Sequence, residues 1–351
     1  MAKQRFTRLA LFAVALTAVV VILGAFTRLV DAGLGCPDWP GCYGFLTVPV
    51  NEAARVTAEA RFPDTPVEVA KAWWEMVHRY FAGALGLLIA ALAVVAIGNA
   101  RRRSAGVEAA PQAAPLPLGL PIALVMLVIC QAAFGAWTVT LKLWPQVVTA
   151  HLLGGFATLS LLWLLCLRLG VMERLRAPRS LLSHASVALA VVVLQIALGG
   201  WVSSNYAALA CHDFPTCHGD WWPHMDMAGG FNVAQSVGPN YLGGQMESDA
   251  RVAIQFVHRL GAGVVLLVVG ALAWRLRRHG SPLALPLATV LGAQLLLGVL
   301  NVVLVLPLWS ATAHNAVGAL LLLAVVTVNY RAFRDERVLS RDLPIAGAAR
   351  A

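Results

Sequence analysis

The chain has 351 residues, 59% of them hydrophobic and only 12% charged, with a mean hydropathy of +0.75. A soluble domain of this length needs far more charge to cover its surface, so the composition excludes the soluble class and places the chain in a lipid bilayer. The formal net charge of +9 then has to be explained by where the basic residues stand.

Apolar runs long enough to cross a hydrocarbon core fall near 9–30, 72–98, 118–141, 147–170, 183–205, 251–274, 283–306 and 311–332. The first span follows a short basic stretch, as a signal sequence does. It is about 22 residues long and has no small-residue cleavage site where one is needed, so it is expected to stay in the protein. It carries Gly24 and Arg28 toward its end. A long loop, 31–71, follows with CPDWPGC at 36–42, and the second span opens on EMVHRYFAG at 75–83. Then come Arg101-Arg102-Arg103, QAAFGAWTV at 131–139, a turn at 142–146 and HLLGG at 151–155. After the Arg168 to Arg179 turn the order repeats: CHDFPTC at 211–217 in loop 206–250, QFVHRLGAG at 255–263, QLLLGVLNV at 294–302, a turn at 307–310 and HNAVG at 314–318.

Eight spans put both termini on one face. That face also receives the N-terminal basic stretch, the Arg101 to Arg103 run, the Arg168 to Arg179 and Arg275 to Arg278 turns and the tail after Arg331. Together they hold 18 of the 26 Lys and Arg and, with Glu108 in the loop after Arg103, five of the 17 acids. The positive-inside rule makes the face cytoplasmic, in the cell inner (plasma) membrane. The net charge therefore reports topology, and no nucleic-acid partner is read from it.

The repeat is a duplication. Gly24 through Cys42 aligns with Gly199 through Cys217, and both cysteine pairs are displaced by 175 positions. Repeated units of this kind are a common way to build membrane sites. The expected fold is all-α and integral to the membrane, with eight transmembrane helices arranged as two pseudo-symmetric four-helix bundles, 1–180 and 181–351.

Four of the nine histidines stand out by position. His78, His151, His258 and His314 lie in the first turns of spans two, four, six and eight, all of which run from outside to inside. At 1.5 Å per residue each sits within roughly 10 Å of the outer surface. Two facing helices that offer one imidazole each at matching depth describe a bis-histidine heme site, here His78 with His151 and His258 with His314. A lone intramembrane histidine is often only a hydrogen-bonded polar residue; four at duplicated positions fit that explanation poorly. Heme fits better than a small metal because neither pair has a third Cys, Asp or Glu at its depth in both copies. Small residues follow each histidine: Ala82, Gly83 and Gly86; Gly154 and Gly155; Gly261 and Gly263; Gly318. They suit the approach of a flat macrocycle and suit close helix packing equally.

GAFTRLVDAGLGCPDWPGCYG at 24–44, EMVHRY at 75–80 and the two later histidine positions resemble the heme A synthase family of bacteria and mitochondria. The resemblance runs from span one to span eight. It implies a membrane oxidoreductase that converts heme O to heme A by oxidising a ring methyl to a formyl group. It further implies a heme b cofactor on His258 and His314, substrate heme O held by His78 and His151, and a catalytic glutamate at position 75.

The two halves differ where chemistry would require it. Glu75 stands three residues before His78, whereas Gln255 stands three before His258. Residues at i and i+3 share a helix face, so one bundle offers an ionisable group and the other a neutral amide. Methyl oxidation moves protons as well as electrons. Pairing of Glu75 with Arg79 at i+4 is the plain structural alternative. Arg79 and Arg259 follow the two histidines and suit heme propionates or simple snorkelling to the interface. Arg28 has Ser203 as its counterpart and suits Asp31 or a substrate propionate.

Cys36 with Cys42 and Cys211 with Cys217 stand in outer loops, where thiols oxidise. The five intervening residues, proline among them, can turn enough for a disulfide, so two local disulfides are expected. His212, His218 and His224 leave copper or zinc as an alternative in the second loop. Cys130 and Cys166 read as buried thiols; His184 and His279 receive no role.

The sequence reading is thus an oxidoreductase making heme A beside the heme O synthase. A two-heme electron-transfer cytochrome and a heme transporter or chaperone stand as rivals. The electron acceptor, the oxygen source and the oligomeric state, a homo-oligomer included, stay open.

Overall fold

Inside a bilayer every backbone N–H and C=O must be satisfied within the protein, and the apolar runs meet that demand as helices. The computed structural model describes residues 2–105 and 116–339; the end of the Arg-rich tail, with Arg341 and Arg350, lies outside them. The helices are α1 (Ala2–Leu29), α2 (Glu52–Arg61), α3 (Val69–Ser104), α4 (Gly119–Thr140), α5 (Pro145–Arg168), α6 (Leu182–Ser204), α7 (Met227–Gly230), α8 (Ser248–Arg278), α9 (Ala284–Val303) and α10 (Leu308–Leu339). Eight of them are long and apolar enough to cross a membrane, whereas α2 and α7 belong to the long loops. No strand occurs among the described residues beyond two isolated bridges.

The 36-residue α3 would span about 54 Å, more than a hydrocarbon core. Its last turn carries Arg101, Arg102 and Arg103, so the expected basic loop is the projecting end of a helix. Arg168 closes α5, and Arg275, Arg277 and Arg278 close α8. These cations complement the negative ends of their helix dipoles.

The helices close into two rings. In the first, α1 packs on α3, α3 on α4, α4 on α5 and α5 on α1; in the second, α6 packs on α8, α8 on α9, α9 on α10 and α10 on α6. The rings meet through α1, α5, α6 and α10, and α5 and α10 are the most buried spans. Trp163 of α5 donates its indole N–H to Thr327 of α10 at 2.8 Å. One apolar core joins Phe156 and Leu159 of α5 to Leu272, Leu287 and Val325 of the second ring. A second core, with Ile89, Leu92, Leu124 and Leu162, fills the first ring.

Each long loop begins with the same small hairpin. Disulfides join Cys36 to Cys42 and Cys211 to Cys217, each with Cα atoms 4.8 Å apart. Asp38 accepts from the backbone N–H groups of Tyr43 and Gly44 at 2.6 and 2.7 Å; Asp213, its counterpart, accepts from those of His218 and Gly219 at 2.7 and 2.9 Å. Tyr43 and His218 both take positive φ, 56° in each case. In the first loop Gly35 lies so close to α3 that a Cβ would sit 2.6 Å from the Lys71 main chain. Tyr43 is buried there and donates its hydroxyl to Pro66 O at 2.9 Å. Burial first, then the nearby carboxylates, pushes its phenol up to about 12.

The second loop also reaches across the molecule. Tyr241 N–H donates to Lys142 O at 3.0 Å, Trp144 Nε1 to Gln235 O at 3.1 Å, and Gln146 Nε2 to Val233 O at 2.9 Å. The short turn between α4 and α5 is thereby covered by a loop of the second ring.

Candidate functional site

Each of the four histidines faces a glycine on the preceding membrane-spanning helix. A Cβ at Gly24 of α1 would lie 2.9 Å from the His78 imidazole on α3, and one at Gly135 of α4 would lie 3.4 Å from His151 on α5. In the second ring the distances are 3.4 Å from Gly199 of α6 to His258 on α8, and 3.2 Å from Gly298 of α9 to His314 on α10. The glycines let each ring lie against a neighbouring backbone, which fixes its direction. His78 and His151 stand on α3 and α5, and His258 and His314 on α8 and α10, the opposite members of each ring.

The donor set suits a bis-histidine heme. Nδ1 of His78, His151 and His314 is buried without a hydrogen-bond partner, and such groups are costly unless something completes them. All four imidazoles are nevertheless only half-buried.

Glu75 lies at the junction between α3 and the first hairpin. It is 5% exposed, pairs with Arg79, and accepts from the Cys36 N–H at 2.9 Å. The structure therefore contains the i, i+4 pair that stood as the plain alternative, and adds a bond to the disulfide loop. Gln255 is equally buried, but its Oε1 has no partner. The asymmetry between the halves is one of bonding as well as of charge.

Arg79 and Arg259 clasp the hairpins to the helices. Arg79 Nη1 donates to Asp38 O at 3.0 Å and to the carbonyls of Pro40 and Gly41. Arg259 donates to Thr216 O and Cys211 O, each at 2.7 Å. Arg28 reaches the other half: Nη2 donates to Ser203 O at 2.7 Å, the guanidinium lies 4.0 Å over the Tyr206 ring, and Asp31 is 3.4 Å away. Nε of Arg28 and of Arg259 remains buried and unpartnered.

The histidines of the second loop do not converge. His212 and His218 have ring centroids 5.1 Å apart, but His218 Nε2 faces Ala210 O and His224 pairs with Asp249. Among the described residues no three His, Cys, Asp or Glu side chains gather as metal ligands. Cys166 is buried and Cys130 exposed. His184 bridges Val268 O and Arg275, tying α6 to α8.

A family profile described as cytochrome oxidase assembly protein matches residues 7–326. A heme A synthase of Shewanella oneidensis is 43% identical over 330 residues, covering 93% of this chain and 96% of the relative. The chain belongs to the heme A synthase family. Heme A synthases of Sphingopyxis alaskensis and Rhizorhabdus wittichii are 30% and 28% identical, covering 93% and 88% of this chain. The resemblance in the first loop and at the histidines thus extends over the whole family length, and the chain is a multi-pass membrane enzyme of heme A biosynthesis.

Within this heme A synthase frame, sequence reasoning passed over the glutamines beside the histidines. Gln195 Nε2 lies 3.2 Å from His258 Nδ1, and Gln294 Nε2 lies 3.2 Å from His314 Nε2. The available signal was a spacing: Gln131, Gln195 and Gln294 each precede by four residues a glycine that meets an imidazole.

Proposed function

We propose that the chain converts heme O to heme A by oxidising a ring methyl to a formyl group. Residues 1–180 form the substrate half, with heme O between His78 and His151; residues 181–351 form the cofactor half, with heme b on His258 and His314. The observation that carries the reading is the duplicated histidine pair joined to an unduplicated carboxylate. Two halves with equivalent imidazoles differ in that one bears Glu75 and the other Gln255. When bound, heme b supplies one-electron redox chemistry. The chain's own residues bind, orient and handle protons.

His78 and His151 hold the substrate, their rings set by Gly24 and Gly135. Glu75 accepts or delivers a proton as the methyl group is oxidised, with Arg79 and the Cys36 N–H holding its carboxylate in place. Arg28, Arg79 and Arg259 stand at the outer ends of the helices, where propionates would lie; Arg28 and Arg259 each have an unused buried Nε–H to offer. The enzyme works in the inner (plasma) membrane with both termini cytoplasmic, receives heme O from the heme O synthase, and passes electrons to an acceptor outside the chain.

The test is expression in cells supplied with heme O, followed by chromatography of the extracted pigments. Heme A should appear only with this chain present. An extract that contains heme O and heme b alone, from cells with folded protein, overturns the proposal.

A further inference from the structure

Each cysteine hairpin leaves large apolar side chains uncovered, and does so at equivalent positions. Trp39 and Phe214 stand 175 positions apart, as do Leu46 and Trp221. All four are exposed, Leu46 to 90% and Trp221 to 75%, and Trp222 beside them is exposed as well. The hairpins that carry them are otherwise closed structures, each organised by a disulfide and by an aspartate that accepts from two backbone N–H groups. Apolar groups held out on a fixed turn in this way mark a surface that meets something other than water.

What they meet follows from where the hairpins touch the spans. His78 and His258 turn toward glycines of neighbouring helices. Residues two positions before or after them lie about 200° round the helix, on the outside of each ring. Tyr80 and Leu260 occupy that side and are exposed, on helices long and apolar enough to cross a membrane. Tyr80 donates its hydroxyl to Leu46 O at 3.2 Å. In the second half Trp222 meets the ring of Phe256, two residues before His258, with centroids 5.1 Å apart. Both hairpins therefore lean on the lipid-facing side of a span, and their exposed side chains continue its apolar surface.

We propose that the two hairpins are interfacial anchors, with Trp39, Leu46, Phe214, Trp221 and Trp222 seated in the headgroup–acyl boundary of the leaflet at their end of the bundle. The partner is the bilayer itself. Trp and Tyr favour this boundary because an apolar ring can enter the chains while its polar atom stays among the headgroups. Tyr80 already has that arrangement, with its hydroxyl on the Leu46 carbonyl. The distribution of the patches points the same way. They stand beside α3 and α8, helices of different rings, neither of which takes part in the contact between the rings. A partner that surrounds the whole bundle meets both patches at once. Arg79 and Arg259 tie the hairpins back to these same helices, so seating the hairpins steadies the ends of α3 and α8.

The experiment places the full chain in nanodiscs of phosphatidylcholine, either unmodified or brominated near the headgroup end of the acyl chains. The emission of Trp221 and Trp222 is the difference between the wild type and the variant that combines Trp221→Phe with Trp222→Phe. That difference should lose most of its intensity in the brominated lipid. Leu46→Trp adds a fluorophore to the other hairpin, and the added emission should be quenched by bromine in the same way. If the double variant fails to fold, Trp221→Phe alone supplies the difference. A difference emission that brominated lipid leaves unchanged overturns the proposal. Quenching by aqueous iodide would then give the surface to water, and resistance to iodide would give it to a protein partner, a second copy of the chain included.

Discussion

At the scale of the residue, Glu75 carries two duties that a mutation must separate. It is one half of a buried ion pair and the acceptor for the Cys36 N–H. Removing one partner of a buried pair costs about 3–5 kcal/mol, so Glu75→Ala confounds folding with chemistry. Glu75→Gln keeps the shape and copies the other half, at the loss of the charge opposite Arg79 and of one of the two acceptor oxygens. It should fold, retain heme b and lose turnover by roughly 100-fold, the usual scale for an acid–base group. Glu75→Asp should recover part of the rate. Near-normal heme A output from Glu75→Gln would reduce the residue to a clasp for Arg79. The histidines make a second test: His258→Ala or His314→Ala should abolish the low-spin heme b spectrum, and His78→Ala or His151→Ala should leave most of it. These residues were legible in the sequence because duplication prints them twice at fixed spacing. Gln195 was not, because its meaning depends on a partner 63 residues away on another helix, and on a glycine that only packing reveals.

At the scale of the element, the cysteine hairpin is a separate small device. Its turn is organised around an aspartate, and its attachment to the bundle runs through the arginine that follows a histidine. Unreduced mass spectrometry should show Cys36 linked to Cys42 and Cys211 linked to Cys217. Free thiols at all four positions would instead revive the metal alternative for the second loop. The hairpin also has a pH signature. The Thr216 hydroxyl and the N–H groups of Gly219 and His218 hold the Asp213 carboxyl well below the usual range. A folded-state value below the unfolded one stabilises at higher pH, and the contribution is lost as pH falls below the ordinary value of 3.8. Amide exchange at His218 and Gly219 should therefore quicken on acidification past that value, and Asp213→Asn should lack the transition. Exchange that is equally pH-dependent in Asp213→Asn would remove Asp213 from the explanation. The sequence foretold these loops through their cysteines and prolines. It did not foretell the helix at Glu52–Arg61, because a short amphipathic segment in a polar loop leaves no strong periodic mark.

At the scale of the whole molecule, the eight spans were readable because the bilayer demands long apolar helices. Reporter fusions should place both termini and the Arg101 to Arg103 end in the cytoplasm, and loops 31–71 and 206–250 outside. What hydropathy could not show is how the halves hold each other. Tyr206 donates its hydroxyl to Asp31 at 2.7 Å, while Arg28 stacks on the same ring and bonds Ser203 O. Tyr206→Phe removes one such bond and should lower stability by about 1 kcal/mol, seen as a reduced melting temperature in detergent.

That clasp has a bearing on ancestry. Ser203 is the copy of Arg28, and Tyr206 is the copy of Asp31, each 175 positions on. A symmetric dimer of one such unit must carry the same residue on both sides of its axis, whereas a single chain can set Arg28 and Asp31 on one side and Ser203 and Tyr206 on the other. The same freedom to diverge, inherited at the moment of fusion, is what allows one half to keep Glu75 while its twin keeps Gln255.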